Sequence, residues 1–297
     1  MPRSHPPTLI TLARRTLVEE CGVAPGDRVL VAVSGGGDSQ SLLHVLSHLR
    51  RRLKIEVTAH GIDHGLRAEA RRELALARSL ARHCGVEFRA SRVQVEPGGN
   101  LQARAREARW RVLRRVASRV GARFIATGHH ADDRAETVLL RLARGAGPAG
   151  LAVLPPRDGM LIRPLIRARR TAVLAHLERH EIVFASDPSN QDRRFARVRA
   201  RLDVIPALQA LSPRIVEHLC DVADQMGESA PAVVLLADHE IVRLGRRQQE
   251  QIRRVLGRHT SGARIRLPGG RELWLDGSAN VLQVSKPAAR AGGLSKR

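Results

Sequence analysis

The sequence is poor in lysine, in cysteine and in long apolar runs, and each shortage excludes something. Lys54, Lys286 and Lys296 are the only lysines, so arginine carries nearly all of the +22 formal charge of the 297-residue chain. A genome biased toward arginine codons trades lysine for arginine but does not by itself create such an excess. The charge points to a polyanionic partner, nucleic acid ahead of an acidic protein or a membrane surface. Cys21, Cys84 and Cys220 are odd in number, far apart and without a Cys-x-x-Cys spacing. They fit a reducing cytoplasm and argue against a zinc knuckle, an iron–sulfur site or a disulfide framework. No apolar run is long enough to span a bilayer, so no membrane association is expected. Residues 1–7 lack the apolar core of a signal peptide, and the expected location is cytoplasmic. There is no internal repeat. With 43% hydrophobic residues the chain is globular, and its length allows one large core or two modest ones at about 150 residues per domain.

The first two-thirds alternates strands with helices. Strands are expected at 29–33, 55–62, 86–95 and 124–127, and helices near 38–52, 67–83, 101–119 and 132–143. This order predicts an α/β fold, a doubly wound and mostly parallel sheet, in which ligands sit at the carboxyl ends of the strands. Beyond Pro148 the pattern loosens. A short strand is expected at 161–165, a helix at 170–180, a turn at 187–190, and a basic helical stretch at 193–210 that Pro206 kinks or interrupts. From Ser212 the character changes: helical segments to about 257, then alternating runs from 263. Residues 1–211 are therefore expected to form the catalytic domain and 212–297 a smaller α+β domain that contacts the polyanion.

What is present is concentrated at strand ends. The run Val29-Leu30-Val31-Ala32-Val33 reads as a buried strand, and Ser34-Gly35-Gly36-Gly37-Asp38-Ser39 turns it into an amphipathic helix. Backbone N–H groups and the helix dipole make such a turn a phosphate cradle. Its glycines allow close approach of a pyrophosphate, and Asp38 can hold a Mg²⁺ bridging phosphate oxygens. No Gly-Lys pair occurs in the chain, which excludes a Walker-type loop. Ser-Gly-Gly-x-Asp-Ser instead resembles the PP-loop of ATP pyrophosphatases, which split ATP between its α and β phosphates. A plain glycine turn with Asp38 and Ser39 as caps is the competing reading.

Three further groups follow later strands. Asp63-His64-Gly65-Leu66-Arg67 suits contact with a nucleotide's base or ribose, or is a helix start capped by Asp63. Arg106 and Arg109 share one face of a helix and suit a phosphate, although a solvated basic face has the same pattern. His129-His130-Ala131-Asp132-Asp133-Arg134-Ala135-Glu136-Thr137 clusters carboxylates at the sheet's carboxyl edge. Acids in a first helical turn often only complement the dipole. In so basic a protein, however, this acidic knot calls for a cationic ligand or a metal, and no His-Glu-x-x-His zinc spacing is present. Gly145-Ala146-Gly147-Pro148-Ala149-Gly150 fits Gly-x-Gly-x-x-Gly but follows a helix, not a strand, and is set aside.

Together these groups resemble the tRNA(Ile)-lysidine synthetase family. Ser34–Ser39 is similar to its PP-loop; His64-Gly65-Leu66-Arg67 to its Asn-His-Gly-Leu-Arg segment, with Asp63 in place of Asn. Ala105-Arg106 and Arg109-Trp110 resemble its Ala-Arg-x-x-Arg-Tyr helix, with Trp110 for Tyr. The resemblance continues in 129–137, in 144–151, in Asp187-Pro188-Ser189-Asn190 with Phe195 and Arg197, and faintly in Leu267-Pro268-Gly269-Gly270. It covers about 28–210 well and the rest weakly. The chain is expected to be shorter than the family's long forms and to lack a final tRNA-binding domain, which leaves the grip on the acceptor end open.

The resemblance implies an ATP-dependent ligase that adenylates the C2 oxygen of the wobble cytidine of a CAU-anticodon tRNA(Ile). The ε-amine of free L-lysine then displaces AMP. It implies ATP contact by Ser34, Gly35, Gly36, Gly37, Asp38, Ser39, Asp63 and His64, with Mg²⁺ on Asp38. Catalytic roles fall to Asp38, Arg106, Arg109, Asp133 and Glu136. Asp132, Asp133 and Glu136 would receive the lysine ammonium. Arg144, Arg193, Arg194, Arg197, Arg199 and Arg201 would track the tRNA, and a homodimer is compatible with the scheme. The alternatives are a PP-loop tRNA thiolase, which the cysteine spacing suits poorly, and a non-catalytic RNA-binding protein on the same scaffold.

Overall fold

A computed structural model describes residues 7–63, 70–93, 101–186 and 191–229 and five later strand segments, with only the backbone given for Ala70, for 101–103 and from 228 onward. His64 and its neighbours, Asn100, the 187–190 turn and 267–270 lie outside the described residues. The elements of the larger part are α1 (Leu9–Arg15), β1 (Arg28–Val33), α2 (Gly37–Leu53), β2 (Glu56–Asp63), α3 (Ala70–His83), β3 (Glu87–Arg92), α4 (Leu101–Val120), β4 (Phe124–Ala126), α5 (Ala131–Leu142), α6 (Pro148–Leu151), β5 (Arg157–Asp158), β6 (Leu161–Ile162), α7 (Arg170–Arg179), α8 (Ala196–Arg199), α9 (Ile205–Leu211) and α10 (Ile215–Ser229).

The sheet runs β3-β2-β1-β4-β6-β5. All its pairings are parallel except the β5–β6 hairpin at one edge. Strand β1 is central, and its alternating side chains explain why helices cover both faces. Val29, Val31 and Val33 enter a core with Leu42, Leu43, Leu46 and Leu49 of α2, Ala77 and Ala81 of α3, and Val173 and Leu177 of α7. Leu30 and Ala32 point the other way, into a smaller core with Leu113 and Ala117 of α4. The expected doubly wound, mostly parallel sheet is thus present.

Three expectations are corrected. The strand predicted at 161–165 is only Leu161–Ile162, and it pairs with Arg157–Asp158, a two-residue strand too short for any periodic signal. The basic stretch begins at Ala196 and passes through a π-helical turn, Ala200–Val204, into α9. Pro206 follows at once in the first turn of α9, so the helical hydrogen-bond pattern changes just before the proline. Within the region expected to be helical to 257, Leu235–Ala237 and Glu240–Val242 form an antiparallel pair; Ile241 and Val242 favour a strand by their β-branching.

The chain separates into two compact units, Met1–Gly227 and Glu228–Arg297, and the change of character at Ser212 falls inside the first. Helix α10 packs there because Val216, Leu219, Cys220 and Ala223 share a core with Ala131, Ala135 and Val138 of α5. Its Asp224 receives Arg134 at 2.7 Å and also Arg167, whose guanidinium bonds Glu20 at 2.5 Å. The described part of the second unit holds the strand pair just named and a three-stranded antiparallel sheet, Arg264–Arg266, Glu272–Asp276 and Val281–Ser285.

Candidate active site

Strand β1 ends at Val33, and the chain turns through Ser34-Gly35-Gly36 into α2. The Ser39 hydroxyl closes the turn: it donates to the Gly36 carbonyl at 2.9 Å and accepts the Ser34 N–H at 3.1 Å. Gly35 has φ +87°, and a Cβ there would lie 2.1 Å from the Glu73 carbonyl oxygen, so glycine is required by both conformation and space. At Gly36 the nearest atom to an added Cβ would be Ser34 Oγ at 3.7 Å, which leaves that side of the turn open. On the other flank, a Cβ on Gly128 would meet the Asp38 carbonyl oxygen at 2.7 Å. The end of β4 therefore lies directly against the first turn of α2, and the His-His-Ala-Asp-Asp segment is brought to the glycine turn.

His130 caps α5. Its Nδ1 accepts the Asp133 N–H at 3.3 Å, while the Asp133 carboxylate accepts the His130 N–H at 3.1 Å. With Nδ1 accepting, the proton of a neutral ring sits on Nε2. That Nε2 is fully buried, has no hydrogen-bond partner among the described residues, and lies 3.6 Å from Asp38 Oδ1. One ligand atom from each of Asp38, His130 and Asp133 falls within 4.8 Å of the others. Burial raises the Asp38 pKa from its ordinary value, opposed by His130 and aided by Asp133. The Asp133 pKa is instead lowered: burial works against this, and His130, His129 and Arg197 overcome it. His129 bonds Thr127 Oγ1 through Nδ1 at 2.9 Å, and burial pushes its pKa down to about 4. Two carboxylates facing one space, Asp38 and Asp133, suit a hard cation such as Mg²⁺. The open glycine turn suits phosphate.

A cavity of about 640 Å³ opens over this turn, within the range of ligand sites. Ser34, Gly36, Gly37, Asp38, Ser39, Arg109 and Asp133 line it, as the sequence led one to expect. Gly35 lies beneath, its carbonyl accepting the Ala185 N–H at 2.9 Å. Asp63 ends β2 without lining the cavity; His60 and Ile62 of the same strand do so. Arg106 is exposed one turn from Arg109.

The remaining carboxylates are placed differently from expectation. Glu136 is fully buried, and both oxygens are engaged by Arg197 Nε at 2.7 Å and Arg201 Nε at 2.6 Å. Asp132 accepts the Arg170 N–H at 2.7 Å and faces the Arg169 guanidinium at 3.2 Å, which fixes the start of α7. Neither acid lines the cavity. Arg197 and Arg201, expected along a tRNA backbone, line the cavity instead, because Glu136 draws them inward. Arg193 pairs with Asp203 at 2.8 Å and Arg194 with Asp192 at 2.7 Å; Arg144 and Arg199 are exposed. Residues that the sequence reading left out of the site are Glu73, Thr127, Gly128, His129, Arg170 and Phe184. His129 and Gly128 had a signal, lying directly after strand β4. Arg170 and Phe184 belong to no motif.

A family model for the PP-loop domain matches residues 10–208. The chain belongs to the PP-loop family. Among curated relatives, the tRNA(Ile)-lysidine synthase of Symbiobacterium thermophilum is 38% identical over 252 residues, covering 81% of this chain and 52% of that protein. That of a Bradyrhizobium species is 41% identical over 217 residues, covering 70% and 60%. That of Thermotoga maritima is 36% identical over 195 residues, covering 64% and 47%. The chain thus spans about half to three-fifths of the length of these relatives. Among solved structures, the U34-tRNA thiolase NcsA from Methanococcus maripaludis superposes with a TM-score of 0.65 at 18% identity, over 75% of this chain and 79% of that one. This likeness establishes the PP-loop fold shared by the two.

Proposed function

We propose that this PP-loop chain is a tRNA(Ile)-lysidine synthase. The wobble cytidine's C2 oxygen attacks the α-phosphorus of ATP and pyrophosphate leaves. The lysine ε-amine then attacks C2, and AMP departs with the oxygen. The observation that carries this reading is the convergence of an open glycine turn, the Asp38–Asp133 carboxylate pair and four cavity-lining arginines, Arg109, Arg170, Arg197 and Arg201. The names of the relatives support it.

In this reading the N–H groups of the Gly36–Ser39 turn hold the departing pyrophosphate. Asp38 and Asp133 hold Mg²⁺, which offsets charge on the phosphate oxygens. Arg109 and Arg170 contact phosphate, and Arg197 and Arg201 contact phosphate or the tRNA strand entering the cavity. Glu136 positions those two arginines. The exposed Arg144 and Arg199, with the 212–297 region, serve the tRNA backbone. The reaction would occur in the cytoplasm. Among the described residues no helix is long and apolar enough to cross a membrane.

The thiolase alternative finds no support in Cys21 or Cys220. Cys21 and Cys220 are buried, donate to the carbonyls of Pro156 and Ala131 at 3.4 Å, and are pushed up to a pKa of about 11 by burial. A sulfur-transferring or cluster-binding cysteine needs the opposite shift. The test is mass spectrometry of nucleosides after incubating the chain with ATP, lysine and a CAU-anticodon transcript. Lysidine that appears only when lysine is supplied supports the reading; unchanged cytidine refutes it.

A further inference from the structure

Away from the nucleotide cavity, four histidines gather between α2 and α7. They are two pairs at four-residue spacing, His44 and His48 on α2 and His176 and His180 on α7. Such spacing puts both rings of a pair on one helix face, and here the two faces meet. The ring centroids are 4.2 Å apart for His44–His48, 4.5 Å for His176–His180 and 4.6 Å for His44–His180.

His44 Nδ1 and His176 Nε2 point at each other at 2.9 Å. That is close to the spacing of about 3.3 Å between two nitrogens of one tetrahedral zinc ion. One ring nitrogen each from His44, His176 and His180 lies within 4.8 Å of the others. His48 Nδ1 lies 3.0 Å from the His44 carbonyl oxygen. If it donates there, its Nε2 is left as a lone-pair donor, the arrangement typical of metal-bound imidazole. His44 and His176 are buried whereas His48 and His180 are exposed, so the cluster has a closed floor and an open mouth.

We propose that His44, His176 and His180, with His48 as a fourth donor, bind a borderline-soft transition-metal dication such as Zn²⁺ or Co²⁺. An all-imidazole set selects such ions over Mg²⁺ or Ca²⁺.

The bound ion pins α2 to α7. Helix α2 begins at the glycine turn, about 10 Å along its axis from His44 at 1.5 Å per residue. Helix α7 begins at Arg170, a cavity residue. Holding the two helices together therefore stiffens two elements whose first residues, Gly37 and Arg170, line the nucleotide cavity. The assignment does not depend on which reaction that cavity performs.

The test titrates the full chain with Co²⁺ alone, followed by visible absorption and calorimetry, with Zn²⁺ as competitor. The expected result is one equivalent of Co²⁺ with the intense absorption of a four-coordinate site, displaced by Zn²⁺, and a metal-dependent rise in melting temperature. The double variant His48→Gln/His180→Gln alters only exposed side chains and should weaken binding roughly 100-fold or more. His180→Gln alone should have an intermediate effect. A variant with Asp38→Asn and Asp133→Asn should bind Co²⁺ as the parent does. Absence of binding by the parent chain, unchanged affinity in the double histidine variant, or loss confined to the carboxylate variant would each overturn the proposal.

Discussion

His130 Nε2 stands 3.6 Å from Asp38 Oδ1, and this contact joins the end of β4 to the first turn of α2. The imidazole is fixed by its own helix: Asp133 donates to its Nδ1, so the proton it presents faces Asp38. The relation makes Asp38, His130 and Asp133 one unit built from two segments nearly a hundred residues apart. Removing either carboxylate should remove the proposed cation site while the turn itself stays closed by Ser39.

Asp38→Ala is accordingly expected to lower AMP formation by at least about 100-fold. The purified variant should keep its circular dichroism and melting temperature, because among the described residues the turn is closed by Ser39 and not by the Asp38 carboxylate. Asp133→Asn should lose activity to a similar degree and also loosen the His130 cap. Assays of AMP release across a Mg²⁺ series check this: wild-type rates in either variant would remove the carboxylate pair from the reaction.

Glu136→Gln separates two roles. As the anchor of Arg197 and Arg201, Glu136 should affect KM for ATP or tRNA, by several-fold to tenfold for a loss of about 1.4 kcal/mol, and leave KM for lysine nearly unchanged. As a lysine ligand it would do the reverse. Steady-state kinetics with each substrate varied in turn decides between them.

Asp224→Ala should unfold the chain more readily. It leaves Arg134, 1% exposed, without the one carboxylate it meets among the described residues, and breaking a buried pair from one side costs about 3–5 kcal/mol. Thermal and urea melts read the change. A stability equal to the parent's would mean that α10 is not anchored through this contact.

Acid should destabilise the fold through the histidine cluster. In the folded chain His44 has a pKa of about 3 and His176 of about 4, against roughly 6.5 for a solvated imidazole. Between those values the unfolded chain binds protons that the folded chain refuses, so stability is highest above about pH 6.5 and falls as pH drops toward 4. His48, His180, His83 and Arg179 add repulsion of the same sign. Metal-free melts from pH 7.5 to 5 should show a declining midpoint, and His44→Gln/His176→Gln should flatten the decline. A midpoint independent of pH would contradict the burial of these rings.

The strand–glycine–helix unit was legible because every local cue agrees there: an apolar β-branched run, glycines at a required turn, and an amphipathic helix. The later acids were not. Spacing puts Asp132 and Glu136 on one helix face, but only the packing of α7 and α8 shows that arginines already occupy them. Arg197 and Arg201 read as part of a tRNA-tracking basic stretch for the same reason, since their partner, Glu136, is some sixty residues earlier in the chain. Strands β5 and β6 are too short to leave a periodic trace. The paired histidines of α2 and α7 are plain in spacing, yet only the tertiary contact turns two unremarkable pairs into one cluster.

The most direct measurement of the central claim is exchange of labelled pyrophosphate into ATP, made without lysine. The account predicts exchange that requires both Mg²⁺ and the CAU-anticodon transcript and that vanishes in Asp38→Ala. Exchange that ignores the transcript, or none with the intact chain, would contradict it.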